Sequence, residues 1–394
     1  MKKQLFLLKN QLKMKKALIH DLFIQKGGSE KCVESFTNIW DDFDVFTLID
    51  HLSDDHRQLM LKGKKTKTSF LQKMPFSKKL FRHYFPLYPF AVEQFDFSEY
   101  DVVLSSSYSV CKGILTRPDQ IHISYVYSPV RYAWDLYHQY LREANLDKGI
   151  KSIPIKWLLH YLRNWDAGTA NRPDYYIAIS HYIAKRIKKL YNKEALVIYP
   201  PVDCSNYTIG ENTSDYYFTT SRMVPYKKIN LIVEAFAKMP DKKLIVGGDG
   251  PDFKKIKKLQ TANIQLLGFL DNKTLLNYTQ SAKAFIFAAE EDFGIAPIEA
   301  QACGIPVIAF GKGGALETIV GSFANENNVK TTDTGLFFEK QTTESLIHAV
   351  GVFEENTVKF DKQTIRNQAL KFDTKRFESE FKETIEKIIA NHKF

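Results

Sequence analysis

Ten short runs of β-branched and aromatic residues, separated by amphipathic stretches of helical length, constrain this 394-residue chain more than any other feature. KALIHDLF (16–23), DVFTLI (44–49), DVVLSSS (101–107), IHISYVY (121–127) and YYIAIS (175–180) form a first set. After LVIYPPVD (196–203) the pattern restarts with YYFTTS (216–221), KLIVGG (243–248), IQLLGF (264–269), AFIFAA (284–289) and PVIAF (306–310). Helical stretches such as NLIVEAFAKM fall between them. Such alternation predicts parallel sheets with crossover helices, and the double proline near residue 200 suits a linker between two doubly wound α/β domains. The length agrees, since it exceeds one ordinary core. RFESEFKETIEKIIANHK, at the end, reads as a charged amphipathic helix.

Apolar residues make up 44% and charged residues 25% of the chain, the balance of a soluble globular protein rather than a disordered or fibrous one. No apolar run approaches the roughly 20 residues needed to cross a bilayer. The opening MKKQLFLLKNQLKMKKALIHDLF is basic, but lysines and asparagine interrupt its apolar part, which argues against a secretory signal. Met14 offers an alternative start, since KKALIHDLF already reads as a strand. Cysteines at 32, 111, 204 and 303 lie far apart with no CxxC pair, so buried, reduced thiols in a cytoplasmic protein are expected rather than a zinc site. N-x-S/T triplets at Asn206, Asn212, Asn272 and Asn277 would matter only in a secreted chain.

The net charge of +10 is uneven: residues 1–200 hold 31 Lys and Arg against 20 Asp and Glu, whereas residues 201–394 hold 24 against 25. The excess concentrates in RQLMLKGKKTKTSFLQKMPFSKKLFRHYF (57–85), where nine Lys and Arg meet no acid and aromatics and Leu interleave. Two readings stand. The segment is either a solvated loop and helix, or a patch facing anionic lipid head groups, where each nearby basic residue contributes about 1 kcal/mol. No DNA- or RNA-binding motif accompanies it, so nucleic acid is not an expected partner.

Ligands of open α/β sheets bind beyond the carboxyl ends of the strands, so functional residues belong in loops just after strands. IQKGGSE (24–30) follows the first strand and opens a helix. Gly27 and Gly28 permit close backbone approach, and the helix N-terminus offers free amides to a phosphate, although Gly-Gly is also an ordinary turn. It is not GxGxxG, which counts against a dehydrogenase. In TTSRMVPYKK (219–228), Arg222 and Lys227 read either as converging on a diphosphate, fork and point charge together, or as two surface cations. GGDGP (247–251) is another strand-end loop, with Gly248 permitting close approach.

EEDFGIAPIEAQACGIPV (290–307) sets Glu291 at the mouth of strand AFIFAA, bends at Gly294, and carries Glu299 on a short helix stopped by Gly304. Both carboxylates can face one ligand, and a carboxylate accepting two vicinal hydroxyl protons is the usual grip on a ribose. GKGGALETI (311–319) adds a Gly-rich loop before a helix. Amides aimed at phosphates and acids aimed at sugars read together as a nucleotide-sugar pocket.

The spacing E-x7-E in EEDFGIAPIE, with S-R-x4-K, G-x-G-P and GG-x-x-E, resembles the retaining glycosyltransferases of family 4, which have the GT-B fold. In the first half, YVYSPVRYAWDLYHQYL (125–141), LRNWDAGTANRPDYYIAIS (162–180) and VIYPPVD (197–203) resemble the mannosyltransferase-like enzymes of O-antigen and capsule assembly. The likeness covers nearly the whole chain from about residue 15. It implies two Rossmann-like domains facing a central cleft: residues 1–203 on the acceptor side, residues 204–375 for the nucleotide sugar, and a helix at 376–394 packing back toward the N-terminal domain. It also implies site roles. Glu299 would hold the nucleotide ribose and Glu291 the donor sugar hydroxyls, while Arg222 and Lys227 neutralise the diphosphate leaving group. Gly27 and Gly28 would close over the phosphates from the other domain, with Gly248 also donor-side. Backbone amides of Phe293, Gly294 and Ile295 would approach the sugar. The implied reaction retains configuration by front-face attack, the donor phosphate taking the acceptor's proton, with no protein nucleophile, metal or other cofactor. GDP-mannose is the implied donor and a lipid-linked or oligosaccharide glycan the acceptor. The implied location is the cytoplasm, peripheral on the inner face of the membrane.

The chain departs from that group at Tyr127, in YVYSP, where relatives carry a His near the donor sugar. A phenol does not accept a proton near neutrality, so Tyr127 bears on donor identity and favours a 6-deoxy sugar as the alternative, along with other GDP- or UDP-sugars. Ala288 stands for a usual proline and Ile179 for a common Asn, both tolerable, and His122 is expected to be structural. Two other readings compete: a catalytically silent nucleotide-sugar binder, and a metal-dependent GT-A enzyme using Asp42 and Asp44 of DDFDVF, which lie before a strand rather than after one.

Overall fold

A computed structural model describes residues 14–24, 27–326 and 328–392. The basic opening on which the secretory-signal reading rests, and Gln25 and Lys26 of the Gly-Gly loop, lie outside the described residues. Seven strands form one parallel sheet: β1 (Lys16–Phe23), β2 (Asp44–Asp50), β3 (Thr66–Thr68), β4 (Val102–Ser107), β5 (Ile121–Val126), β6 (Tyr175–Ala178) and β7 (Ala195–Val197), in the order β3-β2-β1-β4-β5-β6-β7. Seven more form a second: β8 (Tyr217–Thr220), β9 (Leu244–Gly247), β10 (Ile264–Gly268), β11 (Ala284–Phe287), β12 (Val307–Phe310), β13 (Gly321–Phe323) and β14 (Gly335–Phe338), in the order β10-β9-β8-β11-β12-β14-β13. Helices cover both faces, which is why β4 and β11 are buried at every residue and read as unbroken apolar or small runs. The fold is the doubly wound α/β architecture that the alternating pattern predicts.

Every sequence-predicted strand forms, with ends within one or two residues of those read from the sequence. β3, β13 and β14 are additional, and β7 occupies the start of the stretch read as linker. They are three or four residues long, and TKT of β3 is mostly exposed, so neither length nor alternation marks them.

The chain divides into two compact units: residues up to Pro201 together with those from Phe377 onward, and Val202–Arg376. In the first, helix α1 (Gly28–Ile39) buries Cys32, Val33 and Phe36. Helices α2 (Tyr137–Glu143) and α3 (Ser152–Gly168) follow β5. In the second, α4 (Ile229–Ala237) packs Ile232 and Phe236 on one sheet face. On the other face α5 (Ile295–Ala302) buries Ala300 beside Phe285 and Val307. A short α6 (Ala315–Thr318) follows β12. The last helix, α7 (Thr374–Asn391), places Phe377 and Phe381 against Phe36 and Tyr125 of the first unit, with the Phe36 and Phe381 rings 4.6 Å apart.

Strand order reverses between β1 and β4 in one sheet and between β8 and β11 in the other. These switch points are where ligands of such sheets bind. Among the described residues no helix is long and apolar enough to cross a membrane. All four cysteines are buried free thiols. Burial pushes Cys32, Cys204 and Cys303 up to about 12, so none is poised as a thiolate.

Candidate active site

At the switch point of the second unit the loops after β8, β9, β11 and β12 meet. The loop after β8 and the GGDGP loop after β9 are laced together. Ser221 N–H donates to the Gly247 carbonyl at 3.3 Å, Met223 N–H to Asp249 at 2.9 Å, and Asp252 N–H back to Met223 at 3.1 Å. Glycine is required there. Gly248 has φ +110°, and a Cβ on it would lie 1.9 Å from the Ser221 carbonyl oxygen. Arg222 is exposed on this laced edge. The 3-10 turn Pro225–Lys227, closed by Lys228 in the left-handed region at φ 57°, turns Lys227 inward to half-burial.

Lys227 Nζ forms an ion pair with Glu291 Oε1 across the switch point. Glu291 is itself clamped by the GKGG loop after β12: the Gly314 amide donates to its carbonyl at 2.8 Å, and Glu291 bridges Gly313 in parallel. A Cβ on Gly313 would meet the Glu291 carbonyl oxygen at 2.5 Å, and one on Gly314 would meet the Phe293 Cα at 2.4 Å. The paired glycines therefore let one loop lie directly on another. Lys312 of the same loop sits 3.2 Å from Glu290.

Gly294, at φ 92°, turns the chain into α5, whose first residue is Ile295. The Phe293 ring is buried against Phe372, 5.6 Å between centroids. Glu299 is the fifth residue of α5 and half-buried. Beside it the Tyr207 phenol is pushed up, first by burial and then by the Glu299 carboxylate. Arg222, Lys227, Gly248, Glu291, Phe293, Gly294, Ile295 and Glu299 thus lie on the laced and clamped loops of one unit and on the helix they lead into.

Gly27, Gly28 and Tyr127 belong to the first unit, where sequence reasoning missed most of the polar machinery. Gly27 is the N-cap of α1 and Gly28 its first residue. Tyr127, just past β5, donates its hydroxyl to the Ser29 carbonyl at 3.0 Å and shares a 2.8 Å hydrogen bond with Ser106. Ser106 Oγ also bonds His20 Nδ1 at 2.9 Å, and His20 Nε2 lies 3.5 Å from Glu30. Glu30 is buried in the first turn of α1. Burial alone would raise its pKa, but the His20 and Ser29 hydrogen bonds and its own backbone amide outweigh that and hold it below the ordinary range. The Tyr127 phenol is therefore a strut joining the end of β5 to the first turn of α1. Next to His20, Asp21 accepts four backbone N–H bonds, from Tyr108, Ser109, Val110 and Cys111, at 2.7–3.0 Å. The readable signal was the His20-Asp21 pair inside the run ALIHDLF, which is otherwise apolar.

His122 is fully buried and bonds Ser105 at 2.9 Å, and burial lowers it to about 3, so it stays neutral. Asp42 pairs with Lys16, and Asp44 accepts from Tyr100 at 2.6 Å. Among the described residues no group of three or more His, Cys, Asp or Glu is arranged to hold a metal ion. In the basic segment, Arg57 pairs with Asp50 at 2.8 Å and Lys67 with Asp44 at 3.2 Å, and Lys64 donates to the Phe43 carbonyl at 3.0 Å. Lys65, Lys73, Lys78, Lys79 and Arg82 are exposed.

Residues 209–371 match the family model for glycosyl transferases group 1. Over 123 residues the chain is 33% identical to a GDP-mannose-dependent monoacylated alpha-(1-6)-phosphatidylinositol monomannoside mannosyltransferase of Corynebacterium glutamicum, a match covering 27% of this chain and 32% of that one. It therefore spans about a third of the length of that relative. It is 24% identical over 350 residues to the alpha-1,3/1,6-mannosyltransferase ALG2 of Kluyveromyces lactis, covering 74% of this chain and 66% of that one. Among solved structures, the Anabaena protein Alr3699/HepE in complex with UDP-glucose superposes with a TM-score of 0.64 at 18% identity, over 94% of this chain and 99% of that one. Residues 209–371 are a group 1 glycosyltransferase domain, set in a chain with the two-Rossmann-domain architecture of the GT-B glycosyltransferases.

Proposed function

We propose that this chain is a retaining, metal-independent glycosyltransferase of family 4 that moves a hexosyl group, first of all mannosyl, from a nucleotide-diphosphate sugar to a lipid-linked or oligosaccharide acceptor in the assembly of cell-surface polysaccharide such as O-antigen or capsule. The observation that carries it is the Lys227–Glu291 pair at the second unit's switch point. A diphosphate arriving between Arg222 and Lys227 competes for the lysine and releases the Glu291 carboxylate to accept sugar hydroxyl protons. Glu299, one turn further along α5, takes the ribose hydroxyls, and the backbone at Phe293–Ile295 lies against the sugar. The two cations stabilise charge that grows on the departing phosphate, which is where fixed electrostatics lowers a barrier most. The leaving phosphate takes the acceptor's proton.

GDP-mannose is the first donor to test, supported by the names of the two mannosyltransferase relatives. A UDP-hexose is the second reading, favoured by the neighbour complexed with UDP-glucose. The reaction is placed at the cytoplasmic face of the membrane, with the exposed cations of 57–85 toward anionic lipid. The test is product formation by purified protein with a panel of GDP- and UDP-sugars, with and without EDTA. Transfer with retained configuration, unaffected by EDTA, is expected. Donor binding without transfer to any acceptor would support a silent binder instead, and strict dependence on added Mn²⁺ or Mg²⁺ would overturn the metal-free mechanism.

A further inference from the structure

Helix α3 carries apolar residues on two sides. Its inner side, Leu159 and Leu162, closes a small core with Leu141, against which Phe85 from the basic segment packs. Its outer side should then be polar, as on an ordinary surface helix. Instead Ile153, Trp157 and Tyr161 stand four residues apart in one stripe, with Ile150 just before the helix. Their exposures are 85% for Ile150, 63% for Ile153, 68% for Trp157 and 37% for Tyr161, and the Trp157 and Tyr161 rings stack at 10° with centroids 6.3 Å apart. Isolated exposed apolar residues need no explanation, but a contiguous stripe of four large ones does.

The surrounding charge selects the partner. KGIKSIPIKWLLHYLRNW (148–165) contains four Lys and Arg and no acid, and Lys148 and Lys151 are exposed beside Ile150 and Ile153. Tryptophan and tyrosine over a basic flank match the chemistry of a bilayer interface, where rings sit at head-group depth and lysines meet anionic lipid. The shared core with Phe85 makes α3 a neighbour of the basic segment.

We propose that the outer stripe of α3 is a bilayer-docking element that seats Ile150, Ile153, Trp157 and Tyr161 in the interface of an anionic membrane, with Lys148 and Lys151 at the head groups. This deepens the membrane-surface reading above and rests on it for the identity of the partner. It adds apolar insertion, which salt does not screen, to charge attraction, which salt does.

The test is co-sedimentation of the full chain with vesicles of phosphatidylglycerol and phosphatidylcholine, and of phosphatidylcholine alone, at low salt and at about 0.5 M salt. Wild type should bind the anionic vesicles and keep part of that binding at high salt. The double variant Ile153→Ser, Trp157→Ser, with an unchanged melting temperature, should lose at least about tenfold in partitioning and all salt-resistant binding. Charge reversal at Lys78 and Lys79 should weaken low-salt binding and leave the salt-resistant part. Equal binding by the double variant and wild type at both salts would overturn the proposal. So would a concentration-dependent dimer, abolished by the double variant, in a chain that binds no vesicles, because a second copy would then cover the stripe. Transfer to a short soluble acceptor is measured in parallel. It should survive the double variant, so failure of docking is read separately from failure of the sugar-transfer reading.

Discussion

Val202–Arg376 and the unit that precedes it share the order of their first five strands and differ in the last two, yet they treat the polar side chains at their switch points differently. In the later unit Lys227 and Glu291 stand at the carboxyl ends of neighbouring strands with 21% and 17% of their side chains open to solvent, and Arg222 is exposed. In the earlier unit His20 and Asp21 are fully buried and Glu30 is 7% exposed, all tied to one another or to backbone. A second internal set, Lys112 with Asp166 at 3.0 Å and with Thr169 at 2.7 Å, is sealed in the same way. Charges that keep access to water remain available to exchange partners with a ligand. Charges sealed inside have no such freedom, because leaving one unpaired costs several kcal/mol, and they fix loops instead. On the proposed function, the difference gives binding chemistry to the second unit's switch point and scaffolding to the first unit's.

The largest effect expected from that contrast is on stability. Asp21→Ala strips the acceptor from four buried amides and should cost about 3 kcal/mol or more, read by urea unfolding. A near-neutral result would mean that the first unit's buried acid is not scaffolding. Next comes turnover. Arg222→Ala or Lys227→Ala should each lower kcat about 100-fold or more, roughly 3 kcal/mol of transition-state stabilisation, with melting temperature unchanged. A loss of fold instead of rate would erase the distinction between the units.

A smaller effect concerns pH. His122 is held neutral down to about 3, whereas an unfolded chain's histidine takes up a proton near 6.5. The unfolded state therefore binds the extra proton first, and stability falls as pH drops below about 6.5, by roughly 1.4 kcal/mol per unit until the folded pKa is reached. His122→Gln should remove that component of the slope between pH 6.5 and 5. An unchanged slope would place the proton elsewhere. Smallest is Tyr127→Phe. It deletes one donor to the Ser29 carbonyl and should cost about 1 kcal/mol of stability, seen in unfolding midpoints. A large loss of turnover with no stability change would instead make the phenol a group that reads the sugar.

The same contrast explains what could be read from the sequence. The second unit's site is built from contiguous loops whose chemistry is local: a Pro-bearing cation loop, Gly pairs where backbones touch, and two acids eight residues apart. Each is legible in a window of ten residues or so. The first unit's network joins His20 to Ser106 and Tyr127 to Ser29, partners 86 and 98 positions apart, and only the fold brings them together. For the same reason 57–85 reads as unopposed charge although Arg57 and Lys67 are met by Asp50 and Asp44 from β2, just outside the window. Strand order and the short strands β3, β13 and β14 escaped because length and periodicity carry little information in three or four residues.

The central claim, that the second unit's switch point grips a nucleotide-diphosphate sugar through Glu299 on the ribose and Glu291 on the sugar, is tested most directly by calorimetry. Free GDP and UDP are titrated into wild type, Glu299→Ala and Glu291→Ala. The account predicts that wild type binds one of the two nucleotides, that Glu299→Ala binds it about tenfold more weakly through loss of the ribose acceptor, and that Glu291→Ala binds it as wild type does while transferring little sugar. Equal nucleotide affinity for wild type and Glu299→Ala would contradict it.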